Sequence, residues 1–182
     1  MTTPAMSMSE ETFWGILERL DWRKTGDDEA VLEPAVIALS ALSEADVTKF
    51  EDFLAEKLFA LDTREHARFL YLGQVDPDDG DQYISPDQFL YQRCAVVANG
   101  RACFESALKK PTEMTAFQDI EFESLLSLGQ AAYLRKTGKE LDHVTPLSCE
   151  SFSNKAGWRP TPRTKPGRFT GTGVPLGNRR PT

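Results

Sequence analysis

The chain has 182 residues, a formal net charge of −7 and three cysteines, which suits one domain whose core needs no metal or disulfide. It contains no run near the ~20 apolar residues of a membrane helix, and its start, MTTPAMSMSEE, lacks the basic and apolar parts of a signal peptide. An odd cysteine count without a close pair favours a reducing compartment, so we predict a cytoplasmic protein that does not enter membranes.

Charge is divided unevenly along the chain. Residues 151–182 contain seven basic residues and no acidic residue, so residues 1–150 hold the other 14 basic and all 28 acidic residues, a formal charge of −14. The basic region also has five prolines, five glycines and few apolar residues, too few to offset the entropy of ordering it, with Trp158 as the candidate anchor. We predict three regions: a disordered leader at 1–8, an acidic helical domain at 9–146 and a basic, largely disordered tail at 147–182.

Apolar residues in the acidic region recur at helical spacing, and no period-two run bounded by hairpin signals interrupts them. In chain order the pattern predicts helices that begin near Ser9, Asp27, Ser43, Thr63, Ser85 and Phe117. Pro34 near the first turn of the second helix is expected to shift its start, and Ser43 with Asp46 approximates a capping box. We predict an all-α fold, a compact bundle of about six helices followed by the basic tail.

The stretch from Tyr83 to Pro111 has the clearest start and stop. Ser85 and Pro86 suit the cap and first position of a helix, and Pro111 ends it. Asn99-Gly100 breaks the pattern, since glycine costs about 1 kcal/mol in a helix interior. The stretch is therefore two helices meeting at Gly100, or one helix packed closely against a neighbour there.

Arg93 falls on the apolar stripe of this stretch, and Arg101 lies on nearly the same face if the helix is continuous. One interpretation, which we favour, is structural: the arginines pair with carboxylates such as Glu121 or Glu123. The other is a ligand site in which Arg93 and Arg101 hold an anion, because guanidinium groups bind carboxylate and phosphate in a bidentate way.

Three segments resemble a known family. The first is YISPDQFLYQRCAVVANGRACFESALKKPTEM, which matches the family's acidic helix cap, its F-x-x-F/Y-R and G-R motifs and its -AL-x-x-P stop. The second is FESLLSLGQAAYLRKTGKEL, which matches the motifs F-E-x-L-L and A-Y-x-x-K-T-G-x-E of the family's late helix. The third is TFWGILERL, which is similar to the F-W-x-L-I opening of the family. The chain thus resembles, over roughly residues 9–142, the bacterial family catalogued as domain of unknown function 4240. It departs from that family in the acidic DPDDGDQY, where the family has small residues. The resemblance implies a helical domain and supplies no activity or catalytic residue.

Other motifs favour no catalytic or metal chemistry. The acidic loop Asp76–Asp81 places glycine at the fifth instead of the sixth position of a calcium loop. Two histidines, His66 and His143, and no C-x-x-C leave no zinc motif, and Cys149 with His143 lacks an activating context. Gly171-Thr-Gly173 neither follows a strand nor opens a helix, as a nucleotide loop would. We therefore predict no catalytic residue, no metal and no cofactor.

Three functional hypotheses remain. The first is a non-catalytic protein-interaction or regulatory module whose partner has a basic surface. The second is an enzyme or a binder of small anions that uses Arg93 and Arg101, with Glu121 and Glu123 beside them. The third is nucleic-acid binding, which we expect only through the basic tail, because the acidic domain opposes it. The sequence does not indicate an oligomeric state.

Overall fold

A computed structural model describes residues 7–70 and 84–159, and over these residues the fold is all-α, as predicted, with no strand. Seven α-helices and three short 3-10 helices make up the described part. The α-helices are α1 (Glu10–Leu17), α2 (Asp28–Ser40), α3 (Glu44–Leu61), α4 (Arg64–Leu70), α5 (Pro86–Ala98), α6 (Arg101–Lys109) and α7 (Leu128–Thr137). The 3-10 helices are Trp22–Lys24, Pro111–Phe117 and Glu123–Ser127.

Short polar side chains start several of these helices. Ser9, Asp27, Ser43 and Ser85 each accept a hydrogen bond from a backbone N–H of the first helical turn, groups that otherwise have no partner. At α3 the predicted capping box is complete, because Asp46 also accepts from the Ser43 backbone N–H.

Gly100 separates α5 from α6. Its φ is +92°, a conformation that glycine adopts without steric cost, and α6 begins at the next residue. Of the two arrangements that the sequence allows, the chain therefore forms two helices, with Arg93 in α5 and Arg101 at the start of α6.

The core lies around α3, which packs against α1, α2, α5, α6 and α7. Aromatic rings fill its α1 side: the Phe13 ring centroid lies 4.9 Å from that of Trp14 and 5.0 Å from that of Phe50. Phe13, Phe50 and Leu58 have no exposed side-chain surface. This burial supplies the main driving force for the fold.

Two local predictions differ from the structure in the helical body. Pro34 lies inside α2 and does not shift its start, which Asp27 caps. The last helix, predicted from about Phe117, begins only at Leu128. Before it, the Phe122 backbone N–H bonds the Tyr91 carbonyl at 3.1 Å, which holds this part of the chain against α5 in 3-10 turns. Gly138 caps the end of α7 in the left-handed conformation, with φ +71°.

The ends of the described chain are also more closely packed than composition indicated. Met8, assigned to the leader, is buried, and its backbone N–H bonds the Asp46 carboxylate. Residues 147–159, assigned to the tail, lie against α3, α4 and α5 through polar contacts described below. The predicted tail from 160 onward and the acidic loop Asp76–Asp81 lie outside the described residues.

Candidate functional site

Arg93 of α5 is completely buried. Its Nη1 donates to the Leu58 carbonyl at 2.7 Å, and its Nη2 donates to the Cys149 carbonyl at 3.0 Å and to Ser151 Oγ at 2.9 Å. The guanidinium also lies 4.6 Å from the Phe89 ring centroid. Burial lowers the Arg93 pKa, and the nearby Asp62 charge opposes that shift. The side chain therefore ends in a closed pocket.

Asp62, at the C-terminal end of α3, is equally buried and receives several hydrogen bonds from the C-terminal segment. Its carboxylate accepts from the backbone N–H groups of Phe152 and Asn154, both at 2.9 Å, and from Trp158 Nε1 at 2.8 Å. Ser153 Oγ donates a longer bond of 3.3 Å. A buried carboxylate is stable only with such partners, because burial removes its hydration.

We call residues 147–159 the C-terminal strap, and the Asp62 and Arg93 side chains beneath it the Asp62–Arg93 pocket. Aromatic contacts complete the closure: the Trp158 ring lies edge-on to Phe89 at 5.9 Å and 4.4 Å from Phe152. The Gly157 carbonyl accepts a hydrogen bond of 3.0 Å from the backbone N–H of Arg64 in the first turn of α4. The strap thus supplies donors and acceptors that the helices need.

The other candidate ligand residues lie elsewhere. Arg101 is half-exposed at the start of α6 and pairs with Glu105 at 2.8 Å and Glu11 at 3.5 Å. Glu121 and Glu123 are exposed, and neither is a hydrogen-bond or ion-pair partner of either arginine within the described part of the chain. The hydrogen bond to Glu123 raises the Tyr91 pKa to about 12. The structure therefore does not bring Arg93 and Arg101 into one cleft.

A second polar cluster joins α3 to the chain after α7. His143 Nε2 lies 2.7 Å from Asp52 Oδ1, and the neighbouring Glu51 directs its carboxyl at Gly129 in the first turn of α7. Burial raises the Glu51 pKa to about 7, against the opposing effects of His143 and the Gly129 N–H. Its Oε1 is buried without a hydrogen-bond partner within the described residues.

The surface carries an open groove between α2 and α7, which we call the α2–α7 groove. Its volume is about 390 Å³. Its floor and sides are apolar, and its rim is mostly acidic. The lining residues are Glu29, Leu32, Glu33, Val36, Ser124, Ser127, Ala131, Leu134 and Arg135.

Metal and nucleophile candidates are separated by the fold. Across 7–70 and 84–159 no three His, Cys, Asp or Glu side chains are placed to hold a metal ion together. His66 bonds Thr63 and the Ala107 carbonyl. Burial raises the Cys149 pKa, and the His143 ring bonds Asp52 instead of this thiol. None of the helices described here is both long and apolar enough to cross a membrane.

Comparison with known proteins concerns the helical part of the chain. Residues 8–135 match the model of a family described as a protein of unknown function, DUF4240. The chain belongs to the DUF4240 family. This confirms the resemblance seen in the three sequence segments. No curated protein and no solved structure matches the chain.

The DUF4240 region supplies Asp62 and Arg93, whereas the strap that covers them lies beyond it. Sequence reasoning found Arg93 from its place on an apolar stripe but missed Asp62. An aspartate between two helices usually faces water as a cap. The residues that bury Asp62 follow about ninety positions later in the chain, so the local sequence pattern carried no signal for the Asp62–Arg93 pocket.

Proposed function

We propose that this DUF4240 domain is a non-catalytic protein-interaction module that binds a basic segment of a protein partner in the α2–α7 groove. The observation that carries the proposal is the combination of an apolar floor with an acidic rim in one open groove. Such a surface accepts a bulky apolar side chain while its rim contacts flanking lysines or arginines.

The floor of the groove has apolar surface available for a partner. Leu134 of α7 is 48% exposed, while Leu32 and Val36 of α2 are buried beneath the opening. Ile37, the next residue on α2, is 47% exposed and extends the apolar surface of that helix. A partner side chain placed here would be removed from water, which is the main source of affinity at such sites.

The rim favours a positively charged partner. Glu29 and Glu33 line the groove, and the adjoining hollow of about 270 Å³ is lined by three acidic residues and one lysine, Lys24. Arg135, the basic residue of the groove, pairs with Glu33 at 2.8 Å, which leaves Glu29 and the neighbouring Asp27 to contact a basic partner. The formal charge of −14 over residues 1–150 would also attract a basic segment during approach.

The second hypothesis, an anion site formed by both arginines, has no such support. Arg93 is closed off by the strap and Arg101 is paired with glutamates on the surface. Arg93 has no exposed surface, and the half-exposed Arg101 side chain is paired with Glu11 and Glu105.

The test uses fluorescein-labelled peptides of about a dozen residues in which arginine and leucine are interleaved, with a glutamate–leucine counterpart. Fluorescence anisotropy with the full chain should show binding of the basic peptide only, weakening as salt rises because exposed charges are screened. Leu134→Arg places a positive charge in the groove and should reduce the affinity about tenfold or more.

The matched control is Leu108→Arg on α6, where the leucine is 43% exposed and lies outside the groove. This variant adds the same charge and should bind the basic peptide as the unaltered chain does. Equal loss in both variants, or equal binding of the acidic peptide, would refute the proposal.

A further inference from the structure

The strap contacts the helical domain mainly through directional polar bonds. Asp62 accepts two of its backbone N–H groups and its indole N–H, and Arg93 donates to a strap carbonyl and a strap hydroxyl. Asn154 Nδ2 adds a bond of 3.2 Å to the Phe59 carbonyl. Charge-assisted hydrogen bonds that a buried carboxylate and a buried guanidinium form with the backbone of a short turn fix its position and orientation.

These contacts select a particular sequence. A Cβ at Gly157 would approach Thr63 Cγ2 to 2.7 Å, so a larger residue does not fit without movement. Phe152 has φ +68°, unusual for a bulky residue, and this turn presents its N–H to Asp62. Trp158 contributes both an indole donor and an aromatic face. The bound pattern is Ser-Phe-Ser-Asn-x-x-Gly-Trp at residues 151–158.

The variable positions of that pattern face water. Lys155 and Ala156 are exposed, and the Lys155 amine bonds the Phe152 carbonyl within the strap. The side chains that contact the pocket and those that do not are therefore separated along the strap, as expected of a recognised peptide.

The connection between α7 and the strap is lightly attached. Residues 138–146 form no helix, and Val144 is 88% exposed. Its contacts with the helices include the Leu141 N–H to Gln130 Oε1 bond and the pair between His143 and Asp52. Release of the strap breaks its bonds to Asp62, Arg93 and the Arg64 N–H but none of the hydrogen bonds within the helices, which makes local opening possible below the free energy of global unfolding.

We propose that the Asp62–Arg93 pocket is a peptide-recognition site for the Ser-Phe-Ser-Asn-x-x-Gly-Trp segment, filled here in cis and able to take the same segment from a second copy of this chain. The contacts in cis and in trans are identical, so the balance depends on the effective concentration of the chain's own strap. This site is separate from the α2–α7 groove and does not depend on the function proposed for that groove.

The experiment begins with the full chain carrying a protease recognition sequence in place of residues 144–146. Cleavage there leaves the strap bound without a covalent link. A labelled synthetic peptide of residues 147–159, which represents the strap of a second copy, is then added, and its binding is followed by fluorescence anisotropy. The expected result is exchange of the peptide for the cleaved segment, with the circular dichroism of the helices unchanged.

Peptide variants test the recognition without altering the folded domain. Trp158→Ala and Asn154→Ala peptides should bind about tenfold or more weakly, because each loses a bond to a buried group of the domain. An Ala156→Ser peptide is the matched control and should bind with unchanged affinity, since this residue is exposed.

Two results would overturn the proposal. In one, the cleaved segment stays in place until the helices unfold and no peptide exchanges, which would make the strap a permanent part of the core. In the other, the helices unfold when the segment is released. Cleaved protein carrying Leu134→Arg should exchange the peptide normally, which separates this site from the α2–α7 groove.

Discussion

Replacing Glu51 with glutamine should change how the stability of this protein depends on pH. The Glu51 carboxyl lies against Gly129 at the start of α7, and its Oε1 is buried without a partner among the described residues. Burial raises its pKa from an ordinary 4.5 to about 7. A glutamine has the same shape and no ionisable group, so it isolates the effect of charge.

The sign follows from the direction of the shift. Because the folded-state pKa is above the unfolded value, the folded chain binds the proton more tightly between pH 4.5 and 7. The contribution of Glu51 to stability is complete below about pH 4.5 and is lost as the pH rises through about 7. A pKa difference of this size corresponds to roughly 3 kcal/mol, at about 1.4 kcal/mol for each pH unit.

The charged groups around Glu51 are the same in the Glu51→Gln variant and in the unaltered chain. His143 and Asp52 lie beside it and remain in the variant, and the Gly129 N–H can bond the glutamine oxygen. The difference in unfolding free energy between Glu51→Gln and the unaltered chain should therefore grow in favour of the variant by up to roughly 3 kcal/mol between pH 4.5 and 8.

Urea denaturation followed by circular dichroism at several pH values between 4.5 and 8 measures this difference. Glu65→Gln on α4 is the control, because Glu65 is exposed and its ion pair with Arg68 lies on the surface. Its difference from the unaltered chain should stay within about 0.5 kcal/mol across the range. Parallel pH curves for Glu51→Gln and the unaltered chain would show that the Glu51 carboxyl is not held protonated by the fold.

Two further pairs of substitutions test the packing. Gly129→Ala should destabilise the protein despite alanine's higher helix propensity, because a Cβ would lie 1.8 Å from Glu51 Oε1. Gly15→Ala in α1 should stabilise the protein by roughly 0.5–1 kcal/mol, because its Cβ would meet nothing within 4 Å. Urea denaturation of both variants shows whether the two changes in unfolding free energy have opposite signs. Asp62→Ala removes the acceptor of several buried donors and should cost roughly 3 kcal/mol or more, while Asp52→Ala, which removes a partly exposed pair with a histidine, should cost under about 1 kcal/mol. Thermal melting of the two aspartate variants measures that contrast, and similar losses would mean that the strap contacts contribute little.

Much of the helical organisation could be predicted because its signals are local. Ser43 and Ser85 cap helices that begin at the next residue, and Gly138 ends α7 in the left-handed conformation that glycine adopts readily. The family resemblance was visible for the same reason, since its motifs are short stretches of neighbouring residues. A residue that caps or breaks a helix acts on its immediate neighbours, so its role can be predicted without the rest of the chain.

The predictions that differ from the structure depended on contacts between distant residues. The helix expected from Phe117 gives way to 3-10 turns where the chain bonds Tyr91 of α5. The strap was assigned to a disordered tail because its apolar content is low, but hydrogen bonds to two buried charged groups hold it. Composition measures hydrophobic burial and does not register polar groups that find partners inside the fold.

The sequence by itself determined the all-α class, most helix starts, the split between acidic and basic regions and the presence of Arg93 on a buried face, because each rests on spacing within a few turns or on simple composition. Only the tertiary structure decided what that arginine contacts. The fold brings Leu58, Asp62, Arg93 and the strap together from positions up to about a hundred residues apart. Desolvation there makes each polar group require a partner, and which partner is available depends on how the helices pack.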